Sequence, residues 1–86
     1  MEVYVVYTSI YAGGDYQTII EGVYKSKATA CACLESVKES SMHRLRQICH
    51  ERNLCVDADT DDYFSVYDEA TGDYSVEVRI STQHLG

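Results

Sequence analysis

With 86 residues, 45% of them hydrophobic and 24% charged, and with no proline or repeat, the chain suits a single folded domain over 1–86 and excludes a disordered tail or a solenoid. Its net charge of −7 resides in the last third: residues 1–56 carry six acids and six bases, whereas residues 57–86 carry eight acids against Arg79 alone. A field of that sign argues against direct binding to nucleic-acid backbones and favours basic partners, and no apolar run is long enough for a membrane span.

The opening Met-Glu-Val-Tyr-Val-Val-Tyr has no basic leader, so a cytoplasmic location is expected, in which Cys31, Cys33, Cys49 and Cys55 are reduced thiols. From Glu2 to Thr8 the sequence alternates and is rich in Val and Tyr, which predicts a strand. Ala12-Gly13-Gly14-Asp15 is turn chemistry, and Tyr16 to Tyr24 resumes β composition, giving a hairpin.

Ser26 is suited to cap an Ala-rich helical stretch running to Arg52, with Asn53 as its stop. At 100° per residue, Ala30, Cys33, Leu34, Val37, Leu45 and Ile48 fall within about 60° of one direction, a buried stripe flanked by Cys31, Met42 and Cys49. An unbroken helix over that range would be about 39 Å long, against about 30 Å for the strands, so a bend near Ser40-Ser41 is expected.

Residues 57–62 read as an acidic loop. After it, Tyr63 to Tyr67 and Tyr74 to Ser81 alternate around a turn at Glu69-Ala70-Thr71-Gly72, a second hairpin. Phe64, Val66, Val76, Val78 and Ile80 share one face, and Tyr63, Ser65, Tyr67, Glu77 and Arg79 share the other. The expected fold is α+β, a two-layer ββαββ domain in which a long or bent helix covers one face of a four-stranded, mainly antiparallel sheet. The uncovered face, placed on Tyr4 and Val6, or an edge strand would be left for a second copy, so a homodimer is compatible with this arrangement.

Val3 to Tyr7, Gly14-Asp15 and the run Gly22-Val23-Tyr24-Lys25-Ser26-Lys27-Ala28, with helical Ala30 and Leu34 following, resemble the opening of a family of short phage and bacterial proteins. In that family a β-hairpin with a Gly-Asp turn leads through a G-V-Y-x-S segment into an Ala-rich helix. The resemblance covers about the first forty residues and ends after Ser40. It implies a phage or mobile-element origin, a host cytoplasm as the setting and a role in binding host machinery, and it lends no catalytic residue.

Seven carboxylates fall between Asp57 and Asp73 without one Lys or Arg. Asp57, Asp59, Asp61 and Asp68 occupy positions 1, 3, 5 and 12 of a twelve-residue calcium loop, but Asp62 stands where the turn needs Gly and Asp68 is short for the bidentate Glu. Cys31-x-Cys33 and Cys49-x5-Cys55, with His43 and His50, lack knuckle spacing, so zinc is not expected. Cys49 and His50 project in different directions and make no nucleophile pair. No cofactor and no enzymatic role is expected.

Tyrosine beside carboxylates is a recognition composition, because Tyr offers a large apolar area with a polar end. We therefore expect an interaction protein that binds and inhibits a basic or nucleic-acid-binding host protein through Asp57, Asp59, Asp61, Asp62, Tyr63, Tyr67, Asp68, Glu69 and Asp73. The competing expectations are a calcium-binding domain using Asp57, Asp59, Asp61 and Asp68, and a charged surface that serves only solubility. The basic helix face around Arg46, with His43 and His50, reads as a solvated face.

Overall fold

The computed structural model describes residues 1–49 and 53–85. The order is β1 (Glu2–Ala12), β2 (Asp15–Tyr24), α1 (Lys27–Ile48), β3 (Leu54–Asp59), β4 (Tyr63–Asp68) and β5 (Tyr74–His84). All pairings are antiparallel, in the order β2-β1-β5-β4-β3, and α1 packs on one face. The α+β, two-layer expectation holds, but the sheet has five strands and not four.

The added strand is β3, which the sequence presented as part of an acidic loop. Asp is a poor strand residue. Here the pairing of Val56 with Val66 and of Asp59 with Phe64 overrides that preference, and Lys38 of α1 meets the Asp59 carboxylate at 2.8 and 3.0 Å. The same contact holds the Lys38 ammonium above its ordinary pKa.

Gly13 and Gly14 close the first hairpin at φ +57° and +93°, the positive pair that a type I′ turn requires. Ser26 caps α1, its Oγ accepting from the Thr29 amide at 3.4 Å. The helix continues unbroken through Ser40 and Ser41, contrary to the expected bend. Its 22 residues span about 33 Å and the eleven of β1 about 36 Å, so the layers match in length without a bend. Residues 50–52, where the longer helix was expected to end, lie outside the described residues, as does His50.

The core joins Ala30, Leu34 and Leu45 of α1 to Val6, Phe64, Val66, Val76 and Val78 of the sheet. Cys33, Val37 and Met42 pack at its margin, while Ile48 is 55% exposed and so leaves the predicted stripe. One further expectation is corrected: Val6 is fully buried under the helix and Tyr4 packs against the core, so neither belongs to the uncovered face. Tyr24 folds back over Gly22, where an added Cβ would lie 2.5–2.7 Å from its ring and hydroxyl, so a larger residue here would displace the ring.

The two sheet edges differ. At one edge β3 is six residues long, carries Asp57 and Asp59, and bulges between Val56 and Ala58. At the other, β2 is ten residues long with neither Lys nor Pro, and Tyr16, Ile20 and Val23 stand exposed on it.

Asp68 closes the β4–β5 turn from inside, at 6% exposure. Its carboxylate accepts from the Ala70 amide and the Thr71 hydroxyl, both at 3.0 Å, beside the Cys49 thiol. Burial pushes this carboxyl up, but those hydrogen bonds outweigh it and hold the group below the usual carboxylate range. A lowered folded pKa means stability that is present above the unfolded value of about 3.9 and lost as pH falls through the folded value. In urea titrations at pH 7 and at pH 2, Asp68→Asn should therefore lose less stability on acidification than the parent. An equal loss would show that Asp68 is not held ionised by the turn.

Candidate interaction surface

Odd-numbered residues of β1, β4 and β5 point away from α1, and the pairing arranges them in rungs across the sheet. One rung reads Ile20, Tyr7, Arg79, Tyr63 from β2 to β4; the next reads Thr18, Ser9, Glu77, Ser65, Ala58; a third reads Tyr16, Tyr11, Ser75, Tyr67, Cys55. Val23, Val5 and Ser81 form a rung beyond the first. Five of the eight tyrosines thus lie on this single uncovered face.

The centre is held by internal contacts. The Arg79 guanidinium carbon lies 4.5 Å from the Tyr63 ring centroid, a cation–π distance. The Tyr63 hydroxyl donates to Glu77 Oε1 at 3.2 Å, and Arg79 reaches Glu77 at 3.8 Å. The three side chains therefore start with reduced rotamer freedom, which lowers the ordering cost of binding. Tyr67 contacts Cys55, which, with the Glu69 and Asp57 charges nearby, raises its phenol pKa and keeps it protonated as a donor.

Of the nine residues named from sequence, Tyr63 and Tyr67 lie on this face. Asp57 is the bulge residue of β3, with its charge near Tyr67, and Asp61 and Asp62 form the β3–β4 turn, in which the Thr60 hydroxyl donates to Asp62 at 3.0 Å. Asp59 is on the helix side, exposed but ion-paired with Lys38, so it is not on this face, and Asp68 is buried in its turn, where it serves the structure. Glu69 and Asp73 sit at the opposite end of β4, about 20 Å from Asp61 and Asp62. The nine do not form one patch.

The same separation bears on calcium. Asp57 and Asp59 lie in β3 and Asp61 in the turn after it, while Asp68 is at the far end of β4, so the four carboxylates do not encircle one point. Among the described residues, no three His, Cys, Asp or Glu side chains come together as metal ligands would. Cys31, Cys33, Cys49 and Cys55 are half-buried and unbonded to one another. Burial first, and the nearby Asp68 charge second, push the Cys49 thiol up, away from the thiolate a nucleophile needs.

Sequence reasoning missed Tyr7, Tyr11, Tyr16 and the serines between them. Glu2 to Ala12 is apolar or aromatic at both parities, so alternation could not say which set faces the helix. Phe64 and Val66, flanked by polar residues, did give the parity of β4 and, through it, of the whole face. No helix among the described residues is long and apolar enough to cross a membrane. Compared with family models, curated proteins and solved structures, the chain matches none.

Proposed function

We propose that this chain is a small acidic interaction protein, of phage or mobile-element origin, that binds and inhibits a basic, nucleic-acid-binding protein. The observation that carries this reading is the uncovered sheet face, where Tyr7, Tyr11, Tyr16, Tyr63 and Tyr67 alternate with Ser9, Ser65 and Ser75. Tyrosine supplies rigid contact area at small entropic cost, as in binding paratopes, and Ser9 and Ser65, buried between the rings, act as small spacers. Two strands of eleven residues, one of ten and two of six, about 3.3 Å per residue and about 4.8 Å apart, give about 700 Å², close to the roughly 800 Å² per partner of a stable interface.

Acidic residues border this face on the β3 side, at Asp57, Asp61 and Asp62, and fix the sign of the partner. Rim charges act mainly by steering encounter, so they govern salt sensitivity, while the tyrosines govern how long the complex lasts. Competition for a basic groove is then the mode of inhibition.

The test is a capture from bacterial lysate with three baits: the parent, a Tyr7→Ala/Tyr67→Ala face variant, and an Asp57→Asn/Asp61→Asn/Asp62→Asn rim variant. The expected result is a retained protein with pI above about 9 that the face variant fails to hold, that the rim variant holds only at low salt, and whose DNA binding the parent competes away. Identical profiles from all three baits would reject this reading of the face.

A further inference from the structure

On the other side of the sheet, between α1 and the first hairpin, lies a cleft of about 480 Å³. Most of the helix–sheet contact is apolar, but here α1 contributes Ser36, Ser40, Ser41 and Arg44, and the sheet contributes Thr8 and Glu21. The Ser40-Ser41 pair, which interrupts the apolar stripe, does not break the helix; its small side chains line the cleft.

Glu21 is placed by a bulge. Val6 pairs with Gly22 and Tyr7 with Ile20, so Glu21 is the extra residue of β2. Bulges re-aim a side chain, and this one is held on the helix side by Thr8, 2% exposed, whose hydroxyl donates to Glu21 Oε1 at 3.0 Å. One carboxylate oxygen is fixed and the other is left to accept.

Arg44 lines the same cleft without pairing to Glu21. Among the described residues, neither its guanidinium nor the hydroxyls of Ser36, Ser40 and Ser41 have a side-chain hydrogen-bond or ion-pair partner. An anion and a cation thus border a shared space without neutralising each other. Past Ser41 and Arg44 the cleft opens into a smaller, mainly apolar recess of about 250 Å³ bordered by Leu45, Ile48 and Tyr74.

We propose that this cleft binds a free amino acid with a bulky apolar side chain. The ammonium group is received by Glu21, the carboxylate by Arg44 and the serine hydroxyls, and the side chain enters the recess. Charge-assisted bonds to both head groups, with Arg suited to a bidentate carboxylate contact, set the orientation. The apolar end supplies burial, and the cleft's volume of about 480 Å³ lies in the range of small-molecule sites. This site lies on the helix-covered side and is independent of the tyrosine face.

Isothermal titration with L-phenylalanine and L-leucine tests it, beside phenethylamine and 3-phenylpropionate, which each lack one head charge. At least one amino acid should bind saturably at one to one, and removing either ligand charge, or substituting Glu21→Gln or Arg44→Gln, should weaken binding at least about tenfold. Ser41→Leu, which fills the junction with the recess, should abolish it, with unchanged circular dichroism showing that each variant is folded. The proposal is overturned if neither amino acid gives saturable heat up to about 10 mM. It is equally overturned if phenethylamine or 3-phenylpropionate matches phenylalanine, or if Glu21→Gln binds as the parent does.

Discussion

Phe64→Ala should remove about 3–5 kcal/mol of folding stability, the usual range for truncating a buried aromatic. Phe64 is 1% exposed at the centre of β4, pairs with Val78 on β5 and Asp59 on β3, and lies under the Lys38 ammonium at 5.4 Å. It is the one phenylalanine in the sequence and belongs to the cluster that joins the sheet to α1. A domain of this size has about 5–10 kcal/mol in total, so the loss is near half of it. The urea midpoint should fall by at least a third with an unchanged slope, and Tyr63→Ala, one residue earlier on the open face, should cost clearly less. If both truncations cost the same, the parity assigned to β4 is wrong.

Ser9→Pro should be more damaging than its small side chain suggests. Ser9 pairs with Thr18 on β2 and with Glu77 on β5, so β1 is hydrogen-bonded on both sides and every amide along it is needed. Proline removes one ladder donor and its ring obstructs the neighbouring strand, a cost of about 3 kcal/mol or more in a central strand. Ser9→Ala should stay within about 1 kcal/mol, because the Ser9 hydroxyl has no side-chain hydrogen bond among the described residues. Amide NMR spectra distinguish the outcomes: collapsed dispersion for Ser9→Pro and a near-parent spectrum for Ser9→Ala. A well-dispersed Ser9→Pro spectrum with an unshifted melting temperature would place β1 at an edge.

Much of the fold was legible because local chemistry and tertiary structure agree at the relevant residues. Gly13 and Gly14 announced the first turn, Ser26 the helix start, and Phe64, Val66, Val76 and Val78 the core face of the second hairpin. What could not be read depends on pairing between distant residues. Asp57 and Asp59 disguise β3, whose strand state rests on β4 and on an ion pair with Lys38 twenty-one positions earlier. Likewise, the eleven paired positions between β1 and β5 fix strand order, and nothing local encodes them.

The candidate surface divides along the same line. Tyr63 and Tyr67 are legible because β4 alternates cleanly, whereas Asp59 and Asp68 read as free carboxylates although Asp59 is ion-paired to Lys38 and Asp68 is buried in its turn. Composition counts carboxylates but does not show which are already bound. Glu21 and Arg44 gave no signal at all, since a cleft lined from a strand bulge and a helix turn has no spacing in the chain.

The unlike edges of the sheet set a limit on assembly. Strand addition joins two free edges, each with its own N–H and C=O groups, and polymers arise when a subunit offers two edges that can pair. Here Asp57, Asp59 and the bulge make β3 a terminus, since the same edge on a second molecule would meet it with like charge and a broken ladder. β2 is the longer, uncharged-centre edge open to extension, and two molecules that pair β2 to β2 about a twofold axis leave only β3 edges facing outward. A ten-stranded, two-molecule sheet would be the largest object this edge chemistry can build, with both of its ends already blocked against fibre growth.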